Sequence, residues 1–240
     1  MSATTRDPTL HERILSDIEA HIVSGDWPPG HRLPFEVDLA AQYQCSRMTV
    51  NKVMTQLAAK GIIERRKKGG SFVTQPHSQA AVLEINDIEA EVLALNLPYR
   101  HEVKARARRK ARAEDLKRMD VPLGAAILEV RCLHYAGPHP FCLEDRIVNI
   151  AAVPTVEDAD FEAMSPGRWL IWQIPWSSAE HRIHAEAASS QLAADLRING
   201  GAPCLVVERR TWLADQAVTS VRFVYPGEMH SLVARFSPAR

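Results

Sequence analysis

Arg47 directly follows a serine at the start of an apolar-striped segment, and that position suits one kind of chemistry. A guanidinium fork at a helix N-terminus matches the paired acceptors on the edge of guanine. Thr49 and Asn51, near the same helix start, are short enough to hold phosphate, and Lys52 turns away from the buried stripe. Downstream, Arg65, Arg66, Lys67 and Lys68 are followed by Gly69 and Gly70, which let the backbone turn tightly and approach a phosphate chain without side-chain collision. Alone, such a run is a solvated surface. After a capped helix at this spacing, it predicts a DNA-binding wing.

A second set of residues fits a small anion. Arg131, Arg146 and Arg222 fall inside apolar runs that read as strands, where an unpaired charge is costly. Glu144 stands two residues before Arg146, so both leave the same strand face, as a simple ion pair or as a ligand pair. Trp176 and Glu180 sit just before a strand that carries His181. Trp176 either plugs the core or walls a site. His181 and Arg182 alternate in direction, as do Arg222 and Tyr225 at a spacing of three, so at most one of each pair points inward. His181 and His184 would chelate a metal on a helix, but in a strand they leave opposite faces with no cysteine near. No metal site is expected. The run from Lys104 to Arg112 reads as a solvated face in preference to a carboxylate site.

These residues need positioning elements. Leu10, Ile14, Ile18 and Ile22 recur every four residues and predict a helix over 9–24, closed by Gly25-Asp26 and a stiff Trp27-Pro28-Pro29-Gly30 link. A second helix is expected over 35–43. A third is capped by Ser46, is striped by Val50, Val53, Met54 and Leu57, and stops at Gly61. Wing strands follow at 62–66 and 71–74. Residues 76–80 read as a linker and 81–97 as a helix. Strands are expected at 102–109, 126–136, 140–149, 181–187, 203–213, 217–225 and 231–236, with helices at 113–119, 157–164, 167–173 and 190–197. The links Gly137-Pro138-His139 and Ala214-Asp215-Gln216 predict two hairpins, hence an antiparallel sheet and an α+β fold.

The 240 residues include 46% hydrophobic and 24% charged residues, enough for a substantial core. Net charge is zero, but the two local basic clusters suffice to attract phosphate. Four widely spaced cysteines, no leader and no membrane-length apolar run predict a cytoplasmic protein with reduced thiols.

His31-Arg32-Leu33-Pro34, Asp38-Leu39-Ala40, Ser46-Arg47-Met48-Thr49-Val50 and Gly70-Ser71-Phe72-Val73 resemble the winged helix of the GntR family of bacterial transcription regulators. The resemblance implies DNA contact through Arg32, Arg47, Thr49 and Gly70. Two positions depart from it: Phe35 replaces a serine, and Val37 replaces a frequent arginine. Farther on, Arg131, Glu144-Asp145-Arg146, Arg209-Arg210-Thr211 and Tyr225 resemble the UTRA effector domain, which shares its fold with chorismate lyase. The segments 175–183, 203–212 and 232–236 are most similar to the histidine-utilisation repressor subfamily. Membership implies residues 1–75 as the DNA-binding domain and 81–240 as the effector-binding and dimerisation domain. It also implies a homodimer, double-stranded operator DNA as partner, no cofactor, and release by urocanate. Urocanate's carboxylate calls for an arginine fork, its azole N–H for an acceptor such as Glu144, and its flat ring for an apolar or aromatic wall. An effector of another kind, a sugar phosphate or a different acid, is the alternative. A lyase-like enzyme using Glu144 is the other, but a sensor is the more economical partner for a winged helix.

Overall fold

A computed structural model describes residues 9–67, 69–74 and 87–232. Thr9 opens α1 (Leu10–Val23) with a reciprocal cap: its side chain accepts from the Glu12 amide, and its own amide donates to the Glu12 carboxylate at 2.7 Å. α1 buries Ile14, Ile18 and Ile22. α2 (Glu36–Gln42) and α3 (Arg47–Ala59) follow, and α3 buries Val50, Val53, Met54 and Leu57. β1 (Ile63–Arg66) pairs antiparallel with β2 (Gly70–Val73), placing Arg66 opposite Gly70, and Arg32 adds a bridge to Phe72. The three helices and the wing are those that the apolar spacing predicts. Lys68 lies outside the described residues, as do the expected linker at 76–80 and most of the expected strand at 231–236.

The second unit begins with α4 (Ile88–Ala94), capped by Asp87, and continues into β3 (Tyr99–Lys110) and α5 (Ala113–Arg118). β4 (Ala126–Ala136) and β5 (His139–Asn149) form one hairpin, and β7 (Pro203–Leu213) and β8 (Gln216–Pro226) the other. Between the hairpins lie α6 (Pro166–Gln173), β6 (Ser178–Ala187) and α7 (Ser190–Leu196). All six strands join one antiparallel sheet in the order β3-β4-β5-β8-β7-β6, so β5 and β8 from different hairpins meet at its centre. The expected helix at 157–164 is not formed. Pro154–Asp158 makes a 3-10 turn, and the Asp160 carboxylate then accepts from the amides of Glu162 and Ala163. That side-chain turn competes with helix formation.

Strand alternation sorts the central residues between two covered faces. α4 packs on Cys142, Val221, Phe223 and Tyr225, whereas α7 packs on Leu133, Leu143, Val206 and Val224. Glu144 and Arg146 share the α4 side with Cys142, while Arg131, Asp145 and Arg222 point to the α7 side. The winged helix packs against the α6 end of the sheet, sharing one core that joins Ile14, Ile18 and Leu57 to Leu170, Ile174 and Leu213. Contact there is close enough that a Cβ on Gly61, whose φ is +69°, would lie 3.2 Å from the Ser177 Cβ.

Candidate functional site

The winged helix presents its cations around one carboxylate. Ser46 accepts from the Thr49 amide at 3.2 Å, fixing the start of α3 and holding Arg47 outward with 71% of its side chain exposed. Glu36 accepts from Arg47 Nε at 3.2 Å, from Arg65 Nη2 at 2.6 Å and from Asn51 Nδ2 at 3.0 Å. Asn51 is therefore half-buried and acts as a strut, whereas Lys52 is fully open to solvent. Thr49 Oγ1 is 3.0 Å from Ser46 Oγ, within the cap. Arg32 stacks over Phe35 and Arg66 over Phe72, each at 4.6 Å, and Lys67 is exposed at the wing tip. A Cβ on Gly70 would meet Arg32 Nε at 3.3 Å, so glycine there keeps the wing and Arg32 together. This head is an array of guanidiniums on a rigid three-helix support, able to bind a duplex phosphate chain and place Arg47 against base edges.

The second site is a slit on the α4 face of the sheet. Its empty space is about 540 Å³ including the mouth, of which only about 30 Å³ admits the centre of a water molecule. So little open room suits a small occupant. Trp176, Phe223, Leu170 and Ile174 supply its apolar walls. Its polar floor, Glu144, Arg146 and Thr219, is backed by a hydrogen-bonded chain: the Tyr99 hydroxyl lies 2.9 Å from His134 Nδ1, and His134 Nε2 lies 2.9 Å from Glu144. The other Glu144 oxygen accepts from Arg146 Nε, and Arg146 Nη1 reaches Thr219 Oγ1 at 3.2 Å. An ionised carboxylate only accepts, so His134 donates to Glu144 from Nε2. Burial alone would raise the Glu144 pKa, but the charge of Arg146 and the hydrogen bond and charge of His134 outweigh it and hold it down at about 2.

Arg209 changes the charge balance of the slit. It is only 8% exposed, and it donates from Nε to His181 Nε2 at 2.7 Å. Arg146 is matched by Glu144, and Arg168 by Asp87 and Glu89, yet no carboxylate of the described residues lies within 4.0 Å of Arg209. Burial, then repulsion from Arg146, pulls its pKa down to about 10, so it still carries its charge at neutral pH. Arg146 and Arg209 both stand over the Phe223 ring, at 5.8 and 5.5 Å. Gly167, at the start of α6, leaves room beside them: a Cβ there would approach Arg146 Nη2 to 3.1 Å. A buried guanidinium with no directly paired carboxylate, next to an apolar wall, suits a small anion.

Of the residues expected to meet an effector, Glu144, Arg146 and Trp176 line this slit, and His181 stands behind Arg209. The rest lie elsewhere. Arg131 is on the opposite face, bound to Asp195 of α7 at 2.8 Å, and Arg222 pairs with Glu186 on that same face. Strand parity puts them there, since each lies an odd number of positions from a slit-facing neighbour. Glu180 is exposed at the sheet edge opposite Arg210. Tyr225 is on the slit side but stacks on His230 at 3.9 Å, beyond the lining. Arg209, Thr211, Thr219, Ser165 and Gly167 were not anticipated. Arg209 and Thr211 are two apart in a strand otherwise rich in apolar residues, a spacing that marks a shared polar spot on one face. The Lys104–Arg112 run is mostly a solvated face, as expected, with two members tied into the fold: Arg106 donates to the carbonyls of Val156, Glu157 and Ala159, and Arg109 binds Asp115 and Glu129.

Among the described residues there is no metal-holding cluster of three or more His, Cys, Asp or Glu, and no helix long and apolar enough to cross a membrane. The sequence matches the bacterial regulatory proteins of the gntR family over residues 10–73 and the UTRA domain over residues 94–231. It is 35% identical to the histidine utilization repressor of Pseudomonas aeruginosa, over 95% of this chain and 91% of that protein. It is 34% identical to that of Klebsiella aerogenes, over 95% of this chain and 94% of the relative. The crystal structure of the C-terminal domain of the histidine utilization repressor from Pseudomonas syringae superposes with a TM-score of 0.55 at 30% identity, covering 59% of this chain and all of that one (100%). A possible transcriptional regulator from Bacillus subtilis, YydK, shares the fold across 95% of this chain and 99% of its own, with a TM-score of 0.55 at 21% identity.

Proposed function

The chain belongs to the GntR family of transcription regulators and carries a UTRA domain, and from that membership we propose a homodimeric repressor that leaves its operator when urocanate fills the slit. It is a regulator and not an enzyme, a repressor of histidine utilisation like the relatives that span nearly its whole length. The observation that carries the choice of effector is Arg209, a buried guanidinium with no directly paired carboxylate, in a cavity with little open room. Urocanate is a planar acid. Its carboxylate supplies the missing charge to Arg209, its ring lies between Trp176 and Phe223, and Glu144 or Asp87 accepts the azole N–H. No cofactor enters this scheme.

Release requires that urocanate bind better to the form whose winged helices are misplaced. A hundredfold loss of operator affinity corresponds to about 2.7 kcal/mol of differential binding. In a two-fold dimer the two recognition helices meet half-sites about one helical turn apart, ~34 Å. A gel-shift titration of the operator complex with urocanate, histidine and an unrelated acid tests the reading. Release by urocanate alone supports it, and indifference to urocanate removes the effector while leaving the regulator.

A further inference from the structure

Three apolar residues of the reading head are left bare by a unit whose own core is closed. Phe35, Val37 and Met48 are 55%, 60% and 66% exposed, while Ile14, Ile18, Val50 and Leu57 are fully covered at 0%. Phe35 and Val37 stand at the start of α2 and share a groove with Arg47, Arg65 and Arg66. Phe35 also occupies the N-cap of α2 without making a side-chain cap, so a serine, threonine or aspartate would serve the helix better. Its ring is held in place by the Arg32 guanidinium 4.6 Å away. Exposed apolar side chains grouped as Phe35 and Val37 are in this groove mark a contact surface.

The groove's charge selects the partner. Arg47, Arg65 and Arg66 line it, and one of its two carboxylates, Glu36, is already taken by Arg47 and Arg65, leaving Asp38. The occupant is therefore a polyanion that is apolar at its centre. The major groove of DNA has one apolar projection, the 5-methyl group of thymine. We propose that Phe35 and Val37, together with Met48 exposed next to Arg47 on α3, read thymine methyl groups, so that each half-site requires A·T pairs next to the base that Arg47 contacts. The proposal rests on the operator-binding reading and deepens it: the arginines hold the backbone, and the apolar edge selects sequence.

Duplexes selected from a random pool by the full-length protein provide the probe. Replacing each thymine in turn by deoxyuracil removes one methyl and nothing else. The expected result is a loss of about fourfold at one or two positions in each half-site, the worth of one buried methyl-sized group. Phe35→Ser and Val37→Ala lose that sensitivity, each at its own position, whereas Arg47→Ala keeps it. Uracil tolerated at every position, or variants that weaken all sequences alike while keeping the thymine preference, overturns the proposal. Selection of no duplex at all overturns the operator-binding reading along with it.

Discussion

Arg209 donates its Nε–H to Nε2 of His181 at 2.7 Å, so a buried cation is held by a neutral ring and not by a carboxylate. His181 accepts only while unprotonated, and burial followed by the charge of Arg209 pulls its pKa down to about 4. The pair keeps a positive charge at the slit until an anion arrives. Such an arrangement costs folding free energy in the empty protein and returns it on binding.

Arg209→Met is therefore expected to separate the two states. Without effector the variant melts at or above the wild-type temperature, because an unmatched buried charge has gone. Urocanate affinity, read by calorimetry, falls by about 1.5–3 kcal/mol, roughly 10- to 150-fold, the worth of a charge-assisted hydrogen bond. Operator binding without effector is unchanged. A variant that binds urocanate normally would remove Arg209 from the anion site.

Acid stability divides into two windows. His181 has a folded pKa of about 4 against 6.5 unfolded, so the unfolded chain takes up the proton first and stability falls as pH drops from about 6.5 to 4. Glu144 has a folded pKa of about 2 against 4.5 unfolded; its contribution is complete above pH 4.5 and disappears as pH falls toward 2. That contribution amounts to about 3 kcal/mol at its fullest, since one pKa unit is worth about 1.4 kcal/mol. Urea midpoints at pH 7, 5 and 3 check both. His181→Asn flattens the upper step, and Glu144→Gln flattens the lower step while lowering stability throughout.

The reading head was legible because local rules govern it. The Ser46 cap, the Val50-Val53-Met54-Leu57 stripe and the wing glycines each specify geometry within a few residues. Glu36 was not, because its three partners come from α3 and β1 and converge only in the fold. In the sheet, alternation put Glu144 and Arg146 together correctly. It could not say that Arg131 belongs to the other face, since a strand buried on both sides shows no polar side in its sequence. Arg209 was hidden for the same reason, being one of two adjacent arginines that point opposite ways, one inward and one to the Lys117 carbonyl.

Arg131 supplies the inverse test. It is paired with Asp195 on α7, its side chain is 33% exposed, and its Nε is buried without a hydrogen bond. Arg131→Ala is expected to cost less than about 1 kcal/mol of stability, as partly exposed ion pairs do. Urocanate affinity stays within twofold of wild type, ~0.4 kcal/mol. A large loss of effector binding in a folded Arg131→Ala protein would bring the α7 face back as the ligand site.

Coupling between slit and reading head is expected to run through Ser177. It follows Trp176, a wall of the slit, and its hydroxyl ties the strand end together by donating to the Trp212 carbonyl and accepting from the Ala214 amide. Gly61, at the end of α3, touches it from the winged helix, with a φ of +69° that disfavours any side chain. Gly61→Ala therefore brings two effects: backbone strain of about 1–2 kcal/mol, and a new methyl 3.2 Å from the Ser177 Cβ. Gly124→Ala isolates the first, because Gly124 has a φ of +81° and nothing within 4 Å of its Cβ position. Both variants should lose thermal stability, Gly61→Ala the more, because its methyl also crowds Ser177. Only Gly61→Ala should also shift the urocanate concentration that releases operator DNA, because it alone displaces the winged helix from the wall of the slit. Equal release by the two variants would mean that the signal reaches the DNA-binding unit by another route.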